Sequence, residues 1–382
     1  MKRNFQRWIL FAALLFIQAC AIPPSNSPTT SNNAPIAEEE APQPLATPTT
    51  LSFEIIPNPR LTQIEMIDAQ NGWGQAEGMI LRTEDGGQTW LNVTPPDIIS
   101  DPAYAKTFFI DENIGWIVIE DVDKPNAGLI YRTTDGGGLW QWRNVPFGRS
   151  HFGFTDTENG YALFSTGAAA GSMGVSVWTT SNGGGDFGRV FFHEPGFEYT
   201  LPFGGIKNGI AFRDTQNGWI GGTIPMDGVI WLYRSVDGGL SWFEQKVDLP
   251  AGYENYQTST SAPLFFDDGS ATLPVQLFGN EIGYVFYQSQ DGGETWMPTL
   301  PVETYGTYAI ANANEIVVWD GAETITFTSD GGETWSFHAS NWQPLDLLYE
   351  IDFVSISEGW ALTEDSLYRT QDGGKTWEKL GQ

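Results

Sequence analysis

The sequence predicts an all-β protein: a seven-bladed β-propeller of four-stranded antiparallel blades, preceded by a signal peptide and a disordered tether. Three observations carry that expectation. A box of the form R-T-x-D-G-G-x-T-W recurs seven times at blade-length steps. A Gly-aromatic pair opens a short strand ahead of most boxes. The chain also has 44 glycines and 16 tryptophans in 382 residues, which suits short strands joined by tight turns.

The box is fullest at residues 82–90, 132–140 and 234–242, and shorter copies end at Trp296, Trp335 and Trp377. A degraded copy, Asn182-Gly183-Gly184-Gly185-Asp186-Phe187, fills the gap between the second and third full ones. The anchoring positions are Asp85, Asp135, Asn182, Asp237, Asp291, Asp330 and Asp372, separated by 50, 47, 55, 54, 39 and 42 residues. That spacing fits one four-stranded blade with its loops. The aspartate accepts hydrogen bonds from nearby backbone N–H groups and closes the turn. The paired glycines supply positive φ at low cost. The aromatic residue (Trp90, Trp140, Phe187, Trp242, Trp296, Trp335 or Trp377) is expected to fold back over the hairpin and bury its face.

The second signal is the pair Gly72-Trp73, Gly115-Trp116, Gly160-Tyr161, Gly218-Trp219 or Gly359-Trp360. Each unit thus reads as strand A, a tight turn, strand B opening at the pair, strand C ending in the box, and strand D starting at the box aromatic. The last unit is the most compact, with strands expected at 348–354, 359–363, 366–370 and 376–380. Where no pair is present, strand B is expected at 271–277 and at 315–319. Residues 51–57 look like a further strand D and should lie against the last blade or the first.

The domain division follows: residues 1–19 a lipoprotein signal peptide, 20–50 a lipidated cysteine and tether, and 51–382 the propeller. The first 20 residues have a basic start, an apolar run and then Ile17-Gln18-Ala19-Cys20. The run is too short to span a bilayer. Cys20 is the one cysteine in the chain, so a disulfide framework is excluded. Residues 21–50 hold seven prolines and little to bury, and would reach roughly 30 Å. Three of the 18 basic residues precede Cys20 and none of the 47 acidic ones does, so residues 20–382 carry 15 bases against 47 acids, a formal charge of −32. That field disfavours nucleic acid and anionic lipid as partners.

These features resemble known families. Ile17-Gln18-Ala19-Cys20 is similar to the lipobox of bacterial lipoproteins, which implies lipidation of Cys20 and an extracytoplasmic protein anchored to the envelope membrane; Gln18 departs from the small residue usual there. The tandem boxes over residues 62–382 resemble the Asp-box (BNR) repeat superfamily, which includes sialidases, xyloglucanases, sortilin-type receptors and photosystem II assembly factors. With the Gly-Trp pairs and the lipoprotein start, the chain looks most like the photosystem II assembly and stability factors. Those are seven-bladed propellers that bind a membrane-protein client through an arginine-rich patch, and arginine is scarce here. The box is specific for fold and weakly specific for function.

The box aspartates are spread round the ring and cannot converge on one substrate. Gly183 to Gly188 matches G-x-G-x-x-G, but a strand follows where a dinucleotide site needs a helix. Gly171-Ser172-Met173-Gly174 lacks the first glycine of a nucleophile elbow, and 166–174 reads as a small-residue loop. His151, His193 and His338 have no metal spacing. The stretch 121–128 lacks the ligands of a calcium loop and reads as a solvated acidic loop. The sialidase Arg-Ile-Pro motif is absent, and Arg82, Arg132, Arg234 and Arg369 share one repeat slot, so they read as repeat consensus. A xyloglucanase-like pair of carboxylates cannot be picked out among 47 acids.

Strand parity puts the boxes on one face of the ring and the B–C and D–A loops on the other. Long B–C loops are expected at 121–127, 167–174 and 222–228, beside the aromatic candidates Phe197, Tyr199, Tyr253 and Tyr256. These side chains either bind a partner or cover the blade ends. Two functional classes follow: a non-enzymatic monomer that binds a protein or carbohydrate without cofactor or metal, or a carbohydrate-active propeller enzyme.

Overall fold

The computed structural model describes residues 52–381 apart from 77, 97, 99–104, 122, 125, 194–198, 305 and 345–346. The expectations for the signal segment, Cys20 and the tether therefore lie outside the described residues, as does Phe197. Among the described residues all regular structure is β, with no helix.

The strands pair antiparallel with their sequence neighbours. Four sheets have four strands in chain order, a fifth has five, and a sixth has nine. The nine-stranded sheet contains two runs, β14 (Ile206–Phe212) to β17 (Phe243–Glu244) and β18 (Gln257–Thr260) to β22 (Met297–Pro298). A single residue pair, Thr223 with Ser259, joins them. The strands expected where no Gly-aromatic pair exists are present at Ala271–Phe278 and Ile316–Trp319.

The Gly-aromatic pair has a packing cause. Strand B begins beside the last residue of strand A, and that residue is large. A Cβ on Gly115 would strike Phe109, one on Gly160 would strike Phe154, and one on Gly359 would strike Phe353. The glycine is what lets the ring or thioether of strand A lie flat across the next strand. At Trp116 the result is a stack on Phe154 of the following sheet, 3.8 Å between centroids at 10°.

Apolar clusters form between successive sheets, not within them. One joins Trp73 and Ile80 to Phe109 and Ile117, and another joins Trp116 and Ile130 to Phe154 and Ala162. The pattern continues to the end of the chain, where Trp360, Leu362 and Leu380 pack on Leu61, Ile64 and Trp90. The last sheet thus meets the first. No strand is shared across that joint: β1 (Glu54–Ile56) pairs with β5 (Trp90–Asn92) as an added outer strand of the first sheet, and the last sheet has four strands of its own. Side chains make the closure instead. Trp360 Nε1 donates to Gly86 O at 2.9 Å, and Arg369 Nη2 donates to Ala69 O at 2.9 Å.

One loop expectation is corrected. Residues 167–174 are not an irregular loop; β11 (Gly160–Ala169) and β12 (Ser172–Thr180) extend through them as a hairpin. Ala170 and Gly171 turn it at φ of 49° and 76°, the two left-handed residues of a tight hairpin turn. Small side chains there permit the turn, and the sequence pattern alone does not separate this from a loop. Asp121, in the stretch read as solvated, is buried and accepts from Asp123 N at 3.0 Å.

Candidate functional site

The boxes are built alike. In the first, Asp85 Oδ1 accepts from the Thr83 hydroxyl and from Thr89 N, both at 2.9 Å, and Oδ2 accepts from the Thr89 hydroxyl at 2.7 Å. The same set recurs at Asp237, Asp291, Asp330 and Asp372. At Asp135 the residue four on is Leu139, which offers its backbone N–H alone. Asn182 reverses the polarity of one bond: its Nδ2 donates to Asp186 Oδ2 at 2.8 Å, where other boxes have a hydroxyl donating to a carboxylate. The substitutions at 182 and 186 compensate each other. Hydrogen bonds from the Thr334 hydroxyl and backbone hold the Asp330 carboxyl down at about 2, so it stays charged and bound to its own turn.

The box aromatics reach beyond their own hairpins. Trp140 Nε1 donates to Val93 O at 2.7 Å and Trp335 Nε1 to Leu300 O at 3.0 Å, each in the preceding unit. Trp242 does stay on its own turn, donating to Gly239 O at 3.1 Å. Trp90 and Trp242 are buried; Phe187, Trp296 and Trp377 are half-buried packing partners of inter-sheet clusters.

The repeat arginine is a latch. Arg132 lies over the Trp116 ring, 5.5 Å from its centroid, and donates to Thr157 O of the next unit at 2.9 Å. Arg82 donates to Glu112 O at 3.3 Å and Arg369 to Ala69 O at 2.9 Å in the same manner. Arg234 pairs instead with Glu294 of the next box. The latch slot faces the strand-B aromatic in register, Trp116 with Arg132 and Trp360 with Arg369. In the third unit the facing pair is Tyr161 and Thr179. A pocket of about 440 Å³ opens there, between Thr179 and the fourth box.

At the opposite side of this same junction sits Lys207, a buried residue with no sequence signal. Its ammonium, with three N–H donors, lies within hydrogen-bond distance of five carbonyls that share them: Met173 at 2.9, Pro202 at 2.8, Phe203 at 3.0, Gly204 at 3.2 and Gly205 at 3.0 Å. Burial pushes its pKa down to about 8.

The first strands of successive sheets lie side by side and line a narrow central cavity of about 300 Å³, with Gln63, Lys106 and His151 in its wall. Three carboxylates sit where the ring closes. Glu350 accepts from Ile64 N and Asp352 from Met66 N, both at 2.6 Å. They satisfy the free edge of β2 (Leu61–Met66), which no strand pairs. Enclosure, reinforced by Asp352 and Glu350, pushes Glu65 up to about 8; enclosure raises Glu350 to about 7 and Asp352 to about 6. Perturbed acids invite a catalytic reading, but two of these hold backbone edges together. Among the described residues no group of three His, Cys, Asp or Glu side chains is placed to hold a metal ion. His193 bridges two backbone groups, Val175 N at 3.0 Å and Leu201 O at 2.9 Å.

The aromatic candidates do not form one patch. Tyr253 and Tyr256 meet at 4.9 Å between centroids, and Tyr253 Oη donates to Glu303 at 2.8 Å. Both are half-buried against an inter-sheet cluster. Tyr199 belongs to another cluster, edge-on to His193 at 4.9 Å.

Comparison with known proteins places the fold. No family model matches the chain. The xyloglucanase Xgh74A of Acetivibrio thermocellus is 22% identical over 253 residues, which is 55% of this chain and 29% of that protein. A GH74 enzyme of Niastella koreensis superposes with a TM-score of 0.56 at 14% identity, covering 84% of this chain and 54% of that one. YCF48 bound to a D1 peptide gives 0.51 at 17% identity over 84% and 96%, and YCF48 of Cyanidioschyzon merolae gives 0.53 at 15% over 82% and 96%. With these neighbours and its ring of antiparallel sheets, the chain is a β-propeller.

Proposed function

We propose that this is a non-enzymatic, extracytoplasmic binding propeller with a protein client, tethered to the envelope through a lipid on Cys20 and akin to the photosystem II assembly factors that its Asp-box repeats resemble. The nine-stranded sheet counts as two blades, so that the ring has seven. The observation that carries the reading is the commitment of its acids. The box carboxylates are spent on their own turns, and Glu350 and Asp352 are spent on the ring joint. Coverage supports it too: the YCF48 structures are matched over 96% of their length and the Niastella koreensis enzyme over 54%. The client contacts the loop face around Tyr253 and Tyr256.

The test is recovery of a partner from envelope extract by wild type, by a Tyr253→Ala/Tyr256→Ala double variant, and by the box-face control Glu333→Ala. Loss in the double variant alone supports the assignment; loss in the control alone reverses the faces. Cys20→Ser should move the protein from the membrane fraction to the soluble one. The likeness to Xgh74A favours a second reading, a carbohydrate-active propeller, and release of reducing ends from xyloglucan by the wild type would replace the first.

A further inference from the structure

The repeats supply an internal reference for the junction of the third and fourth units on the box face. At the other junctions a side chain from one unit covers the first box glycine of the next: Arg369 at Gly86, Arg82 at Gly136, Arg132 at Gly183, Arg213 at Gly292, Gln288 at Gly331 and His338 at Gly373. Gly238 has no such cover. The nearest atoms to a Cβ there are Thr215 O at 3.1 Å and Gln216 Nε2 at 3.9 Å, both of its own unit. The residue in the covering slot is Thr179, whose side chain is too short to cross the gap.

What remains is the receptor half of an arginine contact. In the latched junctions the guanidinium donates to the carbonyl that follows a turn-closing aspartate: Asp68 then Ala69, Asp111 then Glu112, Asp156 then Thr157. In the open junction Asp214 closes the corresponding turn, accepting from Gln216 N and Asn217 N at 2.8 Å, and Thr215 O holds the acceptor position. That carbonyl takes Gln216 Nε2 at 3.2 Å. This does not block it, because Ala69 O takes both Gln70 Nε2 at 3.4 Å and Arg369 Nη2 at 2.9 Å, one for each lone pair. Tyr161 supplies the aromatic wall. Asp186, Asp214 and Asp237 line the pocket, and none of the residues lining it is a lysine or arginine. Burial raises the Asp214 and Asp237 carboxyls, but hydrogen bonds from their own turns, and for Asp214 also from Arg213 Nε at 3.1 Å, outweigh it and keep both below the ordinary range. Leu240, 62% exposed, stands at the rim as an apolar contact for the chain that brings the cation.

We infer that the cleft between the third and fourth repeat units is a docking niche for an arginine side chain presented by a partner protein. The guanidinium takes the place that the chain's own latch arginine takes elsewhere, donating to Thr215 O within the negative field of the wall carboxylates, which stay bonded to their own turns. The formal net charge of −29 draws such a basic segment in. The inference does not rest on the loop-face assignment, which concerns the other face of the ring.

Calorimetric titration of the full chain at low salt tests it, using a blocked peptide with one central arginine, the same peptide with citrulline, and free arginine. The arginine peptide should bind saturably, at least tenfold more tightly than the citrulline peptide, and more weakly as salt is added. Thr179→Arg, which copies Arg132, should fill the niche and weaken the peptide at least tenfold. Thr179→Gln, which copies Gln288, should do the same and decides the matter if Thr179→Arg does not fold. Glu333→Ala should bind as wild type does. No saturable binding of the arginine peptide, equal affinity for the citrulline peptide, or unchanged affinity in the folded Thr179 variants would overturn the proposal. So would binding of free arginine alone, which would mark a pocket for an amino acid.

Discussion

The junction of the last and first sheets and the junction of the third and fourth are built from the same repeat and held together in opposite ways. At the first, Arg369 and Trp360 reach across the box face to Ala69 O and Gly86 O. At the second, the corresponding residues are Thr179 and Tyr161, the box face is open, and the clamp is Lys207 on the far side. A cation thus serves each joint, placed by different strands, and the closing joint has a second, exposed one in Arg60, which pairs with Glu364. The box fixes each hairpin, whereas a side chain of the preceding unit, supplied from the latch slot at four junctions, covers its first glycine, Gly238 apart.

The largest expected effect lies at the junction with one clamp. Lys207→Met strands several buried carbonyls and should cost ~3–5 kcal/mol, read as a lower urea midpoint. A change below about 1 kcal/mol would mean that the apolar cluster there, not the ammonium, holds the sheets. Arg369→Ala should cost less, ~1.5–3 kcal/mol, because Trp360 remains across the same joint. Equal losses in the two variants would erase the contrast.

The carboxylates at the ring joint give that junction its own pH signature. Glu65 has a folded pKa of about 8 against an ordinary 4.5, so the folded state favours its protonated form. The stability it contributes is complete below pH 4.5 and is lost as pH rises toward 8. Glu65→Gln should flatten that decline and raise the melting temperature at pH 8 by about 2–4 °C, with little change at pH 4.5. A parallel pH profile in wild type and variant would remove Glu65 from the joint's energetics. At the acid end the order reverses, since Asp330, held at about 2, loses its turn bonds as pH falls from its ordinary 3.8 toward 2.

The smallest effect tests the degraded box. Asn182→Asp sets two carboxylates against each other and should cost about 1 kcal/mol. Adding Asp186→Thr should restore the loss by recreating the hydroxyl donor seen at Thr89. Calorimetric melting of the single and double variants checks this.

Much of this was legible in the sequence. The boxes and Gly-aromatic pairs are local and periodic, and they located strands such as Gly359–Thr363 without structure. The strand at Ala271–Phe278 could be placed by elimination between repeats. What was not legible is contact between units. Arg132 and Arg369 read as consensus because, beside Glu158 and Glu358, their acceptors are backbone carbonyls, which carry no residue signature. Lys207 answers to five such carbonyls and leaves no pattern at all. Thr179 was visible in its slot, but its meaning depends on knowing what the slot does. The hairpin at 167–174 was misread because small residues permit either outcome.

The ring is closed by side chains, not by a strand exchanged between its ends. Every four-stranded unit is therefore one uninterrupted stretch of chain. Gly381 lies against Asn58, so a short peptide link would join the two ends of the folded body. A circular permutant linked there and reopened after Val302, which pairs with Tyr284, and before Thr307–Ile310 would cut no hydrogen-bonded sheet. The same modularity means that a whole unit could be gained or lost by duplication without breaking strand pairing elsewhere, provided that the latch residues at the new neighbours still match.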